Sequence, residues 1–327
     1  MKKTAFTRLG RALLASLMLT CSVGAFGADA YPSRPIRVVV PVAAGGWGDV
    51  TTRIIAQRMA EELGQPVVVE NRTGAGGLVG IRYTKGEHPD GYTVLATGGT
   101  IAIQQALNAQ PGYEANKDFV AVASMVRSPA IVVAGADSAY KTLPELIEAA
   151  RAKPNQISYG SAGVGTTTHI AAEMLLRRAD VQMLHVPYKG NGAAMPDVIA
   201  GRLSFMIDAY GSSASNLEGG RLRALGVTAD KPLNVLPKVP TVASAGLPGF
   251  EYYYWLGLFA PAGTPEDIVK VLSEALRRSL DDPKIKARLQ SDGTEPYFLA
   301  PAEFKVFLSK EVSDTASLIK DLALPKQ

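Results

Sequence analysis

The sequence predicts an α/β fold built mainly on parallel strands, on three observations. Short runs of β-branched residues alternate with amphipathic runs; glycine-rich loops separate them; and one strand-loop-helix pattern occurs twice. The chain has 327 residues. That exceeds the ~150 residues of one typical domain and points to two lobes or one large α/β unit.

The first copy of the pattern is Val38-Val39-Val40-Pro41-Val42-Ala43-Ala44-Gly45-Gly46-Trp47-Gly48-Asp49. Ile36 to Val40 reads as a buried strand, the glycines as a tight loop, and Asp49 as the cap of a helix over 50–63. In that helix Val50, Ile54, Ile55, Met59 and Leu63 share one face, Arg53, Gln57 and Glu61 another, and Gly64 supplies the left-handed stop. A helix start preceded by such a loop suits an anion. It equally suits a plain strand-to-helix crossover, and on this stretch alone both readings stand.

Pro66 to Glu70 is the second strand. Gly74, Gly76 and Gly77 lack the full dinucleotide spacing, because Val79 stands where the third glycine belongs, so this cluster reads as packing ahead of a short helix to about Lys85. Tyr92 to Thr97 is a third strand, opening at Gly98-Gly99-Thr100 onto a helix to Leu107. Phe119 to Met125 and Ala130 to Ala134 read as two apolar runs parted by Arg127-Ser128-Pro129. Thr142 and Glu145 have capping-box spacing for the next helix.

The pattern then returns. Ile157 to Gly160 ends a strand, Ser161 to Gly165 is a small-residue loop, and Thr166-Thr167-Thr168-His169 is the first turn of a helix. Two anion-suited loops on separate lobes would meet across a cleft. Gln182 to Val186, Leu203 to Ile207 and Leu222 to Val227 read as strands, with a loop at Pro187-Tyr188-Lys189-Gly190, a helix from Ala193 to Ala200, and a strand end at Asp208-Ala209-Tyr210. A proline-punctuated connector from Leu236 to Gly249 leads to the aromatic run Phe250 to Phe259, which reads as core and hinge packing. Thr264-Pro265-Glu266 opens a further helix, and two more close the chain.

Residues 1–30 read as an export signal: Lys2, Lys3, Arg8 and Arg11, an apolar core from Ala12 to Leu19, and a small-x-small cut at Ala28-Asp29-Ala30. Cys21, the single cysteine, lies inside it. A lipidated Cys21 is the lesser reading, because Leu19-Thr20 is a poor approach to it. Removing four basic residues and Asp29 takes the formal charge from +4 to +1, which gives nucleic-acid binding no electrostatic support. No stretch after the signal approaches the ~20 apolar residues of a membrane span.

Catalytic chemistry is poorly supplied. The nucleophile-elbow spacing fails around Ser161 because Tyr159 occupies the glycine place; no Walker loop exists; and three histidines without cysteines build no metal site. No cofactor is expected. His169 reads as an orienting group and His185 as a satisfied core group. Asp49 and Asp208 read as caps or hinge-side acceptors, and Trp47 and Tyr210, at strand ends, as rings able to cover a flat ligand.

Pro35-Ile36-Arg37-Val38-Val39-Val40-Pro41, Ala44-Gly45-Gly46, Asp49, Gly64 to Arg72 with Gly74-Ala75-Gly76-Gly77, Pro89-Asp90-Gly91-Tyr92, Val186-Pro187-Tyr188-Lys189-Gly190, Leu222-Arg223-Ala224-Leu225, Val239-Pro240-Thr241 and Ala260 to Pro265 together resemble the Bug family. These are the extracytoplasmic solute receptors of tripartite tricarboxylate transporters. The resemblance implies a periplasmic Venus-flytrap protein of type II-like, two-lobed α/β architecture, with lobe 1 from 31–130 plus 256–327 and lobe 2 from 131–255. It implies no enzyme, no metal, a monomer, and a small-molecule carboxylate ligand passed to membrane permease subunits.

The implied ligand contacts are Ala43, Ala44, Gly45, Gly46, Trp47, Asp49 and Thr100 in lobe 1, and Ser161, Gly165, Thr166, Thr167, His169, Tyr188, Asp208 and Tyr210 in lobe 2. The chain departs from the family pattern at Trp47-Gly48 and Tyr210-Gly211, which leads to the expectation of an aromatic mono- or dicarboxylate. The alternatives are a receptor feeding a two-component sensor and a secreted hydrolase using Ser161 or His169.

Overall fold

The computed structural model describes residues 31–324 and Lys326, so the export signal and Cys21 fall outside the described residues. From Arg34 onward the chain is one compact unit. β1 (Ile36–Val40), α1 (Trp47–Leu63), β2 (Val67–Asn71), α2 (Leu78–Lys85), β3 (Thr93–Thr97), α3 (Thr100–Leu107) and α4 (Ala115–Asp118) lead into the long strand β4 (Phe119–Gly135). Next come α5 (Leu143–Ala152), β5 (Ser158–Ser161), α6 (Thr167–Ala179), β6 (Leu184–Pro187), α7 (Asn191–Ile199), β7 (Phe205–Ala209), α8 (Tyr210–Glu218) and β8 (Leu222–Val227). The chain returns through β9 (Tyr253–Pro261) and ends with α9 (Glu266–Asp281), α10 (Pro283–Ser291), β10 (Glu295–Pro296) and α11 (Pro301–Asp321).

The strands run in the order β2-β1-β3-β9-β4-β7-β5-β6, with β8 and β10 also paired to β4. Pairing is parallel at both ends, β1 with β2 and β3, and β5 with β6 and β7. The centre is antiparallel, because β4 and β9 carry the chain between the two groups in opposite directions. The result is the two-lobed, mixed α/β architecture.

The two apolar runs expected at 119–125 and 130–134 are one strand of 17 residues. Pro129 does not break it, for a positional reason. β9 pairs with β4 as far as Pro129, and β7 takes over from Ala130. The residue that cannot donate to a ladder stands at the seam between two ladders.

Alternation along the lobe-2 strands sends side chains to two cores. Val132, Ala134, Phe205 and Ile207 pack with Tyr159 and Leu175 on one face, while Ile131, Val133 and Met206 pack with Ala194 and Val198 on the other. In lobe 1, Val39, Leu95, Phe259 and Phe304 share a core. Each such side chain removed from water contributes about 1.5–3 kcal/mol before entropy.

Two helix starts differ from the sequence expectation. The cap of α1 is Gly46, whose extended backbone (φ −74°) turns the chain, and Asp49 lies inside the first turn. α9 starts after Pro265, and the Thr264 hydroxyl donates to the Pro261 carbonyl at 2.8 Å rather than capping. The capping box expected for α5 is formed in its first half, Glu145 N–H donating to Thr142 Oγ1 at 3.3 Å, while the Glu145 carboxylate accepts instead from the N–H of Lys141, one residue before the cap, at 2.7 Å.

Candidate functional site

The expected site residues all lie at carboxyl ends of strands or on the helix turns that follow them, where α/β folds place their ligands. After β1, Ala44 and Gly45 are exposed, and Gly45 adopts φ +79°, a conformation glycine takes without strain. Asp49 ties this loop down. Its Oδ2 accepts the Gly45 N–H at 2.9 Å, and its Oδ1 accepts from Arg53 Nε at 2.9 Å and Asn71 Nδ2 at 2.8 Å. Burial pushes this carboxyl up, but Arg53 and the hydrogen bonds from Gly45 and Asn71 outweigh it and hold the group below the usual carboxylate range. Asn71 also donates to the Val42 carbonyl at 3.0 Å, so β2 braces the loop that follows β1.

In lobe 2 the loop after β5 is laced by hydroxyls. Thr166 caps α6 and donates to the Gly163 carbonyl at 2.7 Å, while the Thr168 hydroxyl accepts the Ala162 N–H at 2.9 Å. Ser161 is fully buried; its Oγ accepts the Gly163 N–H at 3.1 Å and is hydrogen-bonded to His185 Nε2 at 2.6 Å. The His185 ring stacks between Tyr159 and His169. His169 Nδ1 accepts the Gly165 N–H at 3.3 Å. Burial depresses both imidazoles, His185 to about 4 and His169, with His185 beside it, to about 3, so both are neutral near pH 7. The loop after β6 lies alongside: Tyr188 N–H donates to the Ser161 carbonyl and Gly190 N–H to the Ala162 carbonyl, each at 3.1 Å. The Tyr188 hydroxyl donates to Asp197.

The two lobes touch through these loops. Gln104 Nε2 on α3 donates to the Gly165 carbonyl at 2.8 Å, while inside the expected lobe 2 the Tyr252 hydroxyl donates to the Thr167 carbonyl at 3.1 Å. A Cβ on Gly190 would stand 3.3 Å from that of Ala43, and one on Gly99 3.5 Å from Thr167 Cγ2. Thr100 is buried at the start of α3, its methyl beside Gly77. Among the expected residues, Thr167 lines a groove of about 670 Å³ walled from both lobes, by Gly99 and Ile103 on one side and Ile170 and Met174 on the other.

Asp208 ends β7 and is 3 % exposed. Its Oδ1 accepts from Asn191 Nδ2 and its Oδ2 from Ser213 Oγ, both at 2.8 Å. Burial outweighs these bonds and pushes the carboxyl up to about 6. Near it lies Tyr254, a buried phenol whose pKa is raised by burial and by the fields of Tyr252 and Asp208. Its ring packs on Trp47 at 5.9 Å between centroids, and Trp47 donates its indole N–H to Thr294 Oγ1 at 2.9 Å. Tyr210 is buried with Met195, Leu222 and Val227 and lines a depression of about 520 Å³ with Lys141, Leu217 and Lys238. Both rings expected to cover a flat ligand therefore have protein partners.

Four residues in this arrangement were not singled out from the sequence: Asn71, Gln104, Asn191 and Tyr254. Gln104 alone carried a local signal, as a polar residue on the apolar helix Thr100–Leu107 that is nevertheless fully buried. Among the described residues, no cluster of His, Cys, Asp and Glu is placed to hold a metal ion.

Two α/β lobes joined by crossing strands are the architecture of the periplasmic binding proteins. The chain belongs to the family described as tripartite tricarboxylate transporter family receptor, whose model matches residues 51–324. It is 38 % identical to a UPF0065 protein of the tcbD-tcbE intergenic region of Pseudomonas sp. (strain P51), over 95 % of this chain and 93 % of that protein. Among solved structures, periplasmic binding protein BugD superposes with a TM-score of 0.86 at 34 % identity, over 91 % of this chain and 100 % of the other. Rpa4515 of R. palustris, solved with adipate, superposes with a TM-score of 0.85 at 31 % identity, over 90 % and 98 %. The expected family and fold class are thus borne out.

Proposed function

We propose that this protein captures an organic carboxylate between its lobes in the periplasm and hands it to the permease of a tripartite tricarboxylate transporter. The observation that carries this reading is the approach of the Ala43–Asp49 loop to Gly190 of the Tyr188–Gly190 loop, which lies alongside the Ser161–His169 loop, with Asp49, Thr166 and Thr168 turned to bracing those loops. Backbone N–H groups at helix starts suit a carboxylate without any charged side chain. A structural neighbour solved with adipate supports the same ligand chemistry. The division into 31–130 plus 256–327 and 131–255, the export role of residues 1–30 and a monomeric state belong to this proposal. So does the full set of loop contacts, from Ala43 through Thr100 to Asp208. Trp47 and Tyr210 are engaged inside the protein, so the reading rests on the loops and not on an aromatic ligand.

Thermal-shift screening against aliphatic and aromatic mono-, di- and tricarboxylates tests it. An acid present at a hundred times its Kd should add about 2.7 kcal/mol to stability, an upward shift of several degrees in Tm. If no carboxylate in a broad panel moves Tm, the proposal fails. Loss of uptake in cells lacking the adjacent permease would separate transport from sensing.

Hydrolysis through Ser161 has one observation in its favour, the 2.6 Å contact with His185. Against it, Ser161 has no exposed surface and already serves the Gly163 N–H. A p-nitrophenyl acetate turnover assay comparing the protein with Ser161→Ala should show no difference.

A further inference from the structure

Asp208, Asn191 and Tyr254 form a polar group in which two buried atoms have no partner among the described residues. The Asn191 amide is oriented by its surroundings. Nδ2 donates to the Ile207 carbonyl at 3.1 Å and to Asp208 Oδ1 at 2.8 Å, both acceptors, so the opposite flip would set oxygen against oxygen. That leaves Oδ1 as a buried acceptor with no donor among the described residues. The Tyr254 hydroxyl is likewise buried without a partner, in a residue 95 % removed from solvent. Buried polar atoms of native proteins are nearly always satisfied, and an orphan of this kind calls for an explanation.

Position supplies one. Asn191 directly follows Gly190, the lobe-2 residue that approaches Ala43 of the first loop. Tyr254 packs on Trp47, the residue that follows the same loop. Asp208 lies next to Ala209, which pairs with Ala130, and Tyr254 pairs with Ser128, so both sit at the seam of the crossing strand. Asn191 and Tyr254 thus belong to the stretches at which the two lobes meet, and Tyr254 lines the groove that also holds Gly99 and Thr167. Their chemistry is specific: Asn191 Oδ1 can only accept, Asp208 carries a carboxyl whose two oxygens already hold donors, and the Tyr254 phenol can both donate and accept. A carboxylate brought here could take the phenol O–H but would leave Asn191 Oδ1 unpaired beside a like charge, while a group that carries its own N–H or O–H would satisfy Asn191 Oδ1 and meet the phenol as well.

Building on the carboxylate-receptor reading, we infer that the ligand is a carboxylic acid whose second functional group is a hydrogen-bond donor, a hydroxyl or an amine, and not a second carboxylate. The Ala43–Asp49 and Ser161–His169 loops take the acid end. Asn191, Asp208 and Tyr254 take the donor end.

Calorimetry on the mature chain with two matched series tests this: 6-hydroxyhexanoate, 6-aminohexanoate, adipate and hexanoate; and 4-hydroxybenzoate, 4-aminobenzoate, terephthalate and benzoate. In at least one series a donor-bearing acid should bind about tenfold or more tighter than both the diacid and the unsubstituted acid. Tyr254→Phe keeps the ring on Trp47 and should weaken that donor-bearing acid about threefold to tenfold while leaving the unsubstituted acid unchanged. If adipate or terephthalate binds tightest, or Tyr254→Phe weakens all acids alike, the inference is overturned and the receptor reading stands. If none of the eight acids binds, this inference is overturned, and the broader carboxylate panel decides the receptor reading separately.

Discussion

Gly46 caps α1 with an ordinary backbone, and a Cβ there would meet only the Ala43 carbonyl at 3.4 Å, so the fold tolerates a side chain at this place. Gly46→Val should leave Tm within about 2 °C of the parent, since nothing is buried or strained by it. It should abolish ligand binding in calorimetry, because the isopropyl group stands where a carboxylate must approach the main chain. Retained affinity would remove the first loop from the site. Asp208 yields a pH prediction. Its folded pKa, about 6 against an ordinary 3.8, means that the folded state binds the proton more tightly. Its favourable contribution is full below pH 3.8 and is lost as pH rises through 6, at about 1.4 kcal/mol per unit. The depressed histidines act oppositely, losing stability as pH falls from 6.5 towards 4. In urea titrations between pH 6 and 4, Asp208→Asn should therefore lose stability about 1.4 kcal/mol per pH unit faster than the parent, the histidine effect being common to both. Equal slopes would show that Asp208 titrates in its ordinary range. Local sequence made Asp49 and Thr166 visible as residues of helix starts, though Asp49 proves to hold the loop from inside the turn. Asn191 gave no such signal, because its partners Ile207 and Asp208 lie 16 and 17 residues away, and Tyr254 read only as part of an aromatic run, because its contact with Trp47 is set by the fold.

At the scale of elements, the alternation of strand and helix was legible because each burial pattern has its own period. The continuity of β4 was not, since Arg127-Ser128-Pro129 reads locally as a break and only the change of pairing partner explains its survival. The Gly74–Gly77 cluster was taken as packing, and the structure gives that packing a direction. A Cβ on Gly76 would stand 2.3 Å from Gln104 Nε2 and 3.0 Å from the Val164 carbonyl, so this glycine lets lobe 1 approach lobe 2. Gly64 has nearly the same left-handed backbone, φ +65° against +63°, with nothing within 4 Å of its notional Cβ. The pair separates strain from closure. Gly64→Ala should cost about 1 kcal/mol of stability and leave ligand affinity unchanged. Gly76→Ala should cost a similar amount and also lower affinity at least tenfold, because it wedges the lobes apart. Equal affinities in calorimetry would mean that the Gly76 contact has no part in binding.

For the molecule as a whole, under the carboxylate-receptor proposal the lobes close about the two crossing strands and the ligand holds them together by touching both. The Gln104 to Gly165 bond is one of the protein's own contacts across that gap. Removing it with Gln104→Ala should favour the open form by about threefold to tenfold. Small-angle scattering should then give a larger radius of gyration for the unliganded variant than for the parent, and a saturating acid should restore the parent value. An unchanged radius would assign closure to the remaining contacts. Because β4 donates hydrogen bonds to one sheet along its first part and to the other along its last, neither half of this protein owns a complete set of edges. A fragment cut at the seam would expose a raw strand of Val, Ala and Ile, a template for self-association. The chain must therefore be synthesised and inherited as one indivisible piece, and variation in what such a receptor binds has to come from its loops.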